Sequence, residues 1–175
     1  MTTKEELALV VLAKTGDKNA VSVLWDVITP KLYGYLVNIL KDRSAADDML
    51  QETWLKAITS LHKFEPRDVK FSAWLFAISR NECRQYWRKN KHEIILEEDE
   101  PEKMPDNLVA KENITDKIFL DEILEKIPEK DREILRLRYL ADFSFNEIAQ
   151  ILSIPPITAR VRTYRALSKA RIALT

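Results

Sequence analysis

The chain of 175 residues holds only two glycines, Gly16 and Gly34. Average usage of about 7% would place roughly a dozen in it. Glycine lets backbone N–H groups crowd onto a phosphate, and nucleotide-binding loops need several within about eight residues. Two widely separated glycines cannot build such a loop. The Asn-Gly and Asp-Gly pairs that close tight hairpins are missing as well. No segment alternates apolar and polar residues with period two. With strands and their turns disfavoured, the 46% of hydrophobic residues must be buried between helices. The expected fold class is all-α.

Other residue types narrow the chemistry. Cys83 is the single cysteine, and the two histidines, His62 and His92, lie far apart. A disulfide within the chain, a paired-cysteine zinc site and an HExxH metal site are therefore excluded. Cys83 reads as a small packed residue. No catalytic residue, no metal and no cofactor is expected, and the chain reads as something other than an enzyme. No run approaches 18 apolar residues, so no membrane span is expected. Met1 to Glu6 has neither a basic n-region nor a signal-peptide core. The lone thiol fits a reducing cytoplasm.

Apolar spacing sets the organisation. A first helix is predicted from Glu5 to about Lys14, ending near Gly16. A second runs from about Asn19 to Leu40, and Pro30 makes it two helices or one kinked helix. A third opens with Ser44 as N-cap and Asp47 as its capping-box partner. Leu50, Trp54, Ala57, Ile58 and Leu61 form its apolar stripe. Lys63 to Asp68 reads as a loop. A fourth helix, about Ser72 to Asn90, would bury Phe71, Trp74, Leu75 and Ile78. Between residues 93 and 106, seven acids stand against one base, Lys103, with Pro101 and Pro105 among them; such a stretch reads as a solvated linker. Beyond it, helices are predicted over Ile114–Ile127 and Glu129–Leu140. Ser144 and Glu147 make a capping box, Ser153-Ile154-Pro155 a turn, and Pro156 opens a last helix to about Leu174. The expected architecture is two small helical domains, residues 1–92 and 113–175, the second a helix-turn-helix. An acidic flexible linker, 93–112, joins them.

Three constellations carry possible function. The last helix holds Arg160, Arg162, Arg165, Lys169 and Arg171, with no acid after Pro155. Such a helix suits a major groove lined by phosphates, although a solvated basic helix in an ordinary bundle has the same residues. Arg80, Arg84, Arg88, Lys89 and Lys91 face one acid, Glu82, and Asn81 and Gln85 add amides able to read base edges. Trp74, Tyr86 and Trp87 offer flat faces for unpaired bases, or are core residues whose cationic neighbours reach past them to water. Asp47, Asp48, Gln51 and Glu52 set like charges four residues apart, at a small cost. They suit a basic protein partner, a carboxylate metal site, or plain solvation.

Taken together, these residues resemble a known family. Ala45-Ala46-Asp47-Asp48-Met49-Leu50-Gln51-Glu52-Thr53-Trp54, Lys63-Phe64-Glu65 and Phe71-Ser72-Ala73-Trp74-Leu75-Phe76-Ala77-Ile78 are similar to the second conserved region of bacterial sigma factors. Ile127-Pro128-Glu129-Lys130-Asp131-Arg132-Glu133-Ile134-Leu135 and Ser144-Phe145-Asn146-Glu147-Ile148-Ala149 are similar to the fourth. Two regions joined by a short linker are the layout of the extracytoplasmic-function class. The resemblance implies a subunit that gives core RNA polymerase its promoter specificity. Asp48, Gln51 and Glu52 would dock on the β′ clamp helices, and the β flap would meet the second domain. Phe64, Lys70, Asn81, Arg84, Gln85 and Arg88 would serve the −10 element, with the loop from Phe64 to Lys70 holding a flipped base. Thr158, Arg160, Arg162, Tyr164 and Arg165 would meet the −35 duplex. The resemblance also implies an anti-sigma factor as regulator and a place at the bacterial nucleoid. The last helix departs from the family pattern: Pro155-Pro156-Ile157-Thr158 stands where a Ser cap and a Gly-Thr pair are usual, Val161 lies between the cations, and Ser153 replaces the turn glycine. The alternative is a helix-turn-helix regulator that binds duplex DNA on its own.

Overall fold

The computed structural model describes residues 1–66, 69–89 and 124–173, and every regular element among them is a helix. They fall into two compact units, one within Met1–His92 and one within Glu93–Thr175. The predicted acidic linker and most of the predicted Ile114–Ile127 helix lie outside the described residues. None of the described helices is long and apolar enough to cross a membrane.

In the first unit, α1 spans Thr3–Lys14 behind a capping box of Thr2 and Glu5. α2 is one continuous helix, Lys18–Leu40, with Pro30 inside it. Proline removes the N–H that would bond the carbonyl four residues earlier. Here that carbonyl belongs to Asp26, and both residues face solvent, where water can take the bond. Lys41 ends the helix in the left-handed region at φ 55°, with its N–H on the Val37 carbonyl.

α3, Arg43–Thr59, starts two residues earlier than Ser44 suggested. Asp42 is the N-cap, accepting from the Ser44 and Ala45 amides at 2.8 and 3.2 Å. Ser44 thus lies inside the first turn. The stripe Leu50, Trp54, Ala57 and Leu61 is buried, but Ile58 points to solvent. A 3-10 turn, Leu61–Lys63, leads to α4, Phe71–Lys89. α4 buries Phe71, Leu75 and Phe76, while Trp74 and Ile78 are half-buried. Cys83 is packed inside.

In the second unit, Leu124 and Ile127 are buried below α5, Glu129–Leu135. The helix continues, as predicted, to Leu140. Its last turn, Arg136–Leu140, widens into a π-turn in which the Ala141 N–H reaches the Arg136 carbonyl at 3.0 Å. Arg136 is turned inward and pairs with Glu129. α6, Phe145–Leu152, opens with the predicted Ser144–Glu147 capping box. It closes with Ser153 in the left-handed region, and α7 follows over Pro156–Ile172 with Pro156 in its first turn. Leu152 and Ala159 fill the junction, with Ile154 half-buried beside them. The expected end at Leu174 lies outside the described residues.

Candidate nucleic-acid interface

Three surfaces emerge from this packing. On α3, Asp48, Gln51 and Glu52 are all exposed on one face. Leu55 and Ile58, both exposed, extend that face by one and two turns. Sequence reasoning missed Leu55 and placed Ile58 inside. The signal was present, since Leu55 sits one residue off the buried stripe. Asp47 belongs elsewhere: its carboxylate takes the hydrogen bond of the Tyr33 hydroxyl. Desolvation first, and then this carboxylate, hold that hydroxyl above the usual tyrosine range. Among the described residues no three His, Cys, Asp or Glu side chains come together as a metal site.

The second surface is the outer side of α4. Asn81 and Arg88 are exposed, and Arg84 and Gln85 are half-buried, at spacings of three and four residues along one face. Glu82, the one acid of this segment, is turned inward. Lys56 neutralises it at 2.5 Å, and Gln85 Nε2 lies 3.5 Å from its other oxygen. The outward field of this face is therefore that of its cations alone. Trp87 is buried and Tyr86 half-buried.

The loop before α4 is held by aromatic packing. Phe64 is only 3% exposed. Its ring meets Phe71 edge-on at 5.7 Å and Trp74 at 5.1 Å. Phe64 therefore supports the loop from inside. Trp74 shares the cluster at 5.6 Å from Phe71. α1 clamps both ends of the loop. Lys14 Nζ donates to the Phe64 carbonyl. Glu6, 4% exposed, accepts from the Ser72 amide at 2.5 Å and its hydroxyl at 3.2 Å. A hollow of about 160 Å³ lies there, lined by Thr3 and Leu7 of α1 and by Phe64, Pro66, Val69, Lys70 and Phe71. Lys70 is half-buried at its edge.

The third surface is α7. Its inner face, Ala159, Arg162, Thr163, Ala166 and Ala170, is buried. Small side chains there let α5 and α6 approach closely. The count of five cations overstated the outward charge, because it could not place them in three dimensions. Arg162 is only 8% exposed. Lys169 pairs with Asp131 of α5 at 2.6 Å. Arg160 is exposed, and Thr158, Tyr164 and Arg165 are half-buried. Arg160 is also aimed. Its guanidinium lies 5.8 Å from the Tyr164 ring, which is 6.0 Å from Phe145, itself 5.1 Å from the Arg138 guanidinium. Alternating cations and rings stabilise each other by roughly 0.5–1 kcal/mol per exposed pair. Tyr164 thus positions Arg160 as well as facing outward.

Residues 24–93 match the Sigma-70 region 2 model, and residues 120–169 match the Sigma-70 region 4 model. The ECF RNA polymerase sigma factor EcfG of Rhodopseudomonas palustris is 32% identical over 143 residues, spanning 80% of this chain and 77% of its own. This chain belongs to the extracytoplasmic-function family of RNA polymerase sigma factors. Its relatives include SigM of Bacillus subtilis, 29% identical over 142 residues and covering 80% of this chain and 86% of that one. SigW of the same organism is 28% identical over 170 residues, or 90% of each chain. The fold is shared with CnrH, solved in complex with the cytosolic domain of CnrY. That match has a TM-score of 0.73 at 22% identity over 97% of both chains. It is also shared with the sigma factor RpoE of Bartonella quintana, solved with the anti-sigma factor NepR. Here the TM-score is 0.63 at 22% identity, over 88% of this chain and 96% of that one.

Proposed function

We propose that this sigma factor divides its work among the three surfaces. The α3 face of Asp48, Gln51 and Glu52 docks on the β′ clamp helices of core RNA polymerase, with Leu55 and Ile58 adding apolar contact beside the acids. The outer face of α4, through Asn81, Arg84, Gln85 and Arg88, follows the −10 strand where it separates. The hollow beside Lys70 takes a splayed base. At about 160 Å³ it is smaller than the ~300–1,000 Å³ of typical small-molecule sites and suits a single flat ring. α7 meets the −35 duplex through Thr158, Arg160, Tyr164 and Arg165. Arg162 supports that helix from inside. The second unit also meets the β flap, and residues 93–112 link the two halves.

The observation that carries this reading is the separation of charge: an outward acidic face on α3, and outward cations on α4 whose one acid is turned in against Lys56. Faces of opposite charge, one for a protein partner and one for a nucleic acid, suit a chain that bridges the two. Strand opening is driven by binding energy for unpaired bases, with no covalent step. The chain works in the cytoplasm at the nucleoid. An anti-sigma factor, of the kind bound to Bartonella quintana RpoE, regulates it by covering these surfaces.

Run-off transcription with core polymerase and a promoter library tests the proposal. The parent chain is expected to direct initiation from a defined set of promoters. Asp48→Lys or Glu52→Lys is expected to weaken core binding by about tenfold or more, with an unchanged helical spectrum. Unchanged affinity in both variants would remove the docking role. Tight, specific duplex binding without polymerase would favour the self-sufficient regulator.

A further inference from the structure

The first turn of α7 lacks what a helix start usually carries. Pro155 occupies the cap position with no side-chain acceptor, Pro156 follows, and Ile157 comes next at 50% exposure. A lone exposed isoleucine needs no explanation on a protein surface. Its place on the helix does. Ile157, Arg160, Tyr164, Ser168 and Arg171 recur at three- and four-residue spacing, and each is exposed or half-buried. The opposite stripe, from Ala159 to Ala170, is sealed against α5 and α6. The outward stripe is thus the part of α7 that can meet a ligand, and Ile157 stands at its N-terminal end. In a helix-turn-helix it is this end of the second helix that contacts base edges.

Isoleucine has neither donor nor acceptor. Against most major-groove edges it would desolvate a polar group and return nothing. One base offers it a match: thymine, through its C5 methyl group. Two consecutive prolines remove backbone freedom just before Ile157, so little entropy is lost when it is held in a groove. One turn on, Arg160 is braced over Tyr164 and supplies the polar or phosphate contact beside it.

We propose that Ile157 is a specificity-determining residue that reads the methyl group of a thymine in the −35 duplex. The inference rests on α7 being the duplex-reading helix. It assigns apolar readout to a position where the family pattern, with a Gly-Thr pair, places glycine.

Deoxyuridine differs from thymidine by that methyl alone, which makes the test direct. Holoenzyme is assembled from the full chain and core polymerase, and a promoter is taken from the run-off selection. Each −35 thymine, on either strand, is replaced singly by deoxyuridine, and binding is measured by competition. The expected result is a loss of about fourfold at one or two positions, the value of one methyl-sized contact. Ile157→Ala should erase that difference, and Ile157→Val should keep part of it. Thermal melting checks that both variants fold, and if the alanine variant does not, the valine variant decides. The proposal is overturned if no position distinguishes the two bases, or if the difference survives in Ile157→Ala or stays undiminished in Ile157→Val. It is equally overturned if Ile157→Ala weakens binding alike on intact and scrambled −35 templates, since the contact is then to polymerase. If binding still responds to −35 scrambling and to Arg160→Ala, the loss falls on the Ile157 assignment alone. If it responds to neither, the duplex-reading role of α7 fails as well.

Discussion

Glu6 shows how much one side chain can organise. Its carboxylate is buried, yet it meets the Ser72 amide and hydroxyl at the start of α4. That amide belongs to the first turn of a helix, where N–H groups lack intrahelical partners and negative charge is favoured. Glu6 thus caps α4 from a different helix. Removing one partner leaves a buried donor unsatisfied, at a cost of about 1–3 kcal/mol. Glu6→Ala is expected to lower unfolding free energy by about 2 kcal/mol, and Glu6→Gln, which keeps an acceptor, by less. Urea denaturation of both variants checks the order, and equal losses would mean that the negative charge, which both variants remove, carries the whole effect. No sequence signal pointed to Glu6, because its partner lies 66 positions away. The same limit explains Phe64 and Arg162. Both were expected on DNA-facing surfaces, but the direction of a single side chain depends on tertiary neighbours, and both are buried. A ring among three aromatics and a cation on the inner stripe of α7 are facts of packing, not of spacing.

At the scale of elements, local chemistry was far more legible. The Ser144–Glu147 capping box closes as its spacing required, with the Ser144 N–H on Glu147 Oε2 at 2.7 Å. At α3 the same rule was applied two residues too late, because Asp42 and Ser44 are both good caps and only backbone geometry chooses between them. The turn between α6 and α7 shows an element made despite its sequence. Ser153 adopts φ 57° and ψ 43° where a glycine is usual. The Ile154 N–H reaches the Ala149 carbonyl at 2.9 Å and the Ser153 N–H reaches Gln150 at 3.3 Å, the two bonds of a Schellman ending. A left-handed non-glycine residue costs roughly 1–2 kcal/mol. Replacing it by glycine adds unfolded-chain entropy worth about 0.4–1 kcal/mol. The first effect is larger, so Ser153→Gly is expected to stabilise the chain by up to about 1 kcal/mol. The shift is read as a higher melting temperature with unchanged promoter preference. A lower melting temperature would mean that the serine hydroxyl contributes to the turn.

For the whole molecule, the formal net charge is zero, and that sum hides the distribution that matters. Cations face outward on α4 and α7, acids face outward on α3, and seven more acids lie between residues 93 and 106. Two-domain organisation and the basic faces were legible because composition shifts along the chain mark them. What polymerase adds was not, since it is a distance rather than a residue. Two weak DNA contacts on one chain gain roughly 10²–10⁴ in affinity when both can engage at once, and nothing when geometry forbids it. Each alone should behave like non-specific binding, with a dissociation constant of about 10⁻⁴–10⁻⁶ M that weakens steeply with salt. The free chain is therefore expected to bind promoter duplex no tighter than about 1 μM near physiological salt, and core polymerase should strengthen binding by about a hundredfold or more. Spacer length separates the two states. One base pair turns the helix by about a tenth of a turn, so inserting two or three between the −35 and −10 elements should abolish most of the polymerase-dependent gain and leave free-chain binding as it was. Fluorescence anisotropy on a spacer series measures both. Nanomolar binding by the free chain, or a gain indifferent to spacing, would mean that polymerase does something other than hold two modules apart.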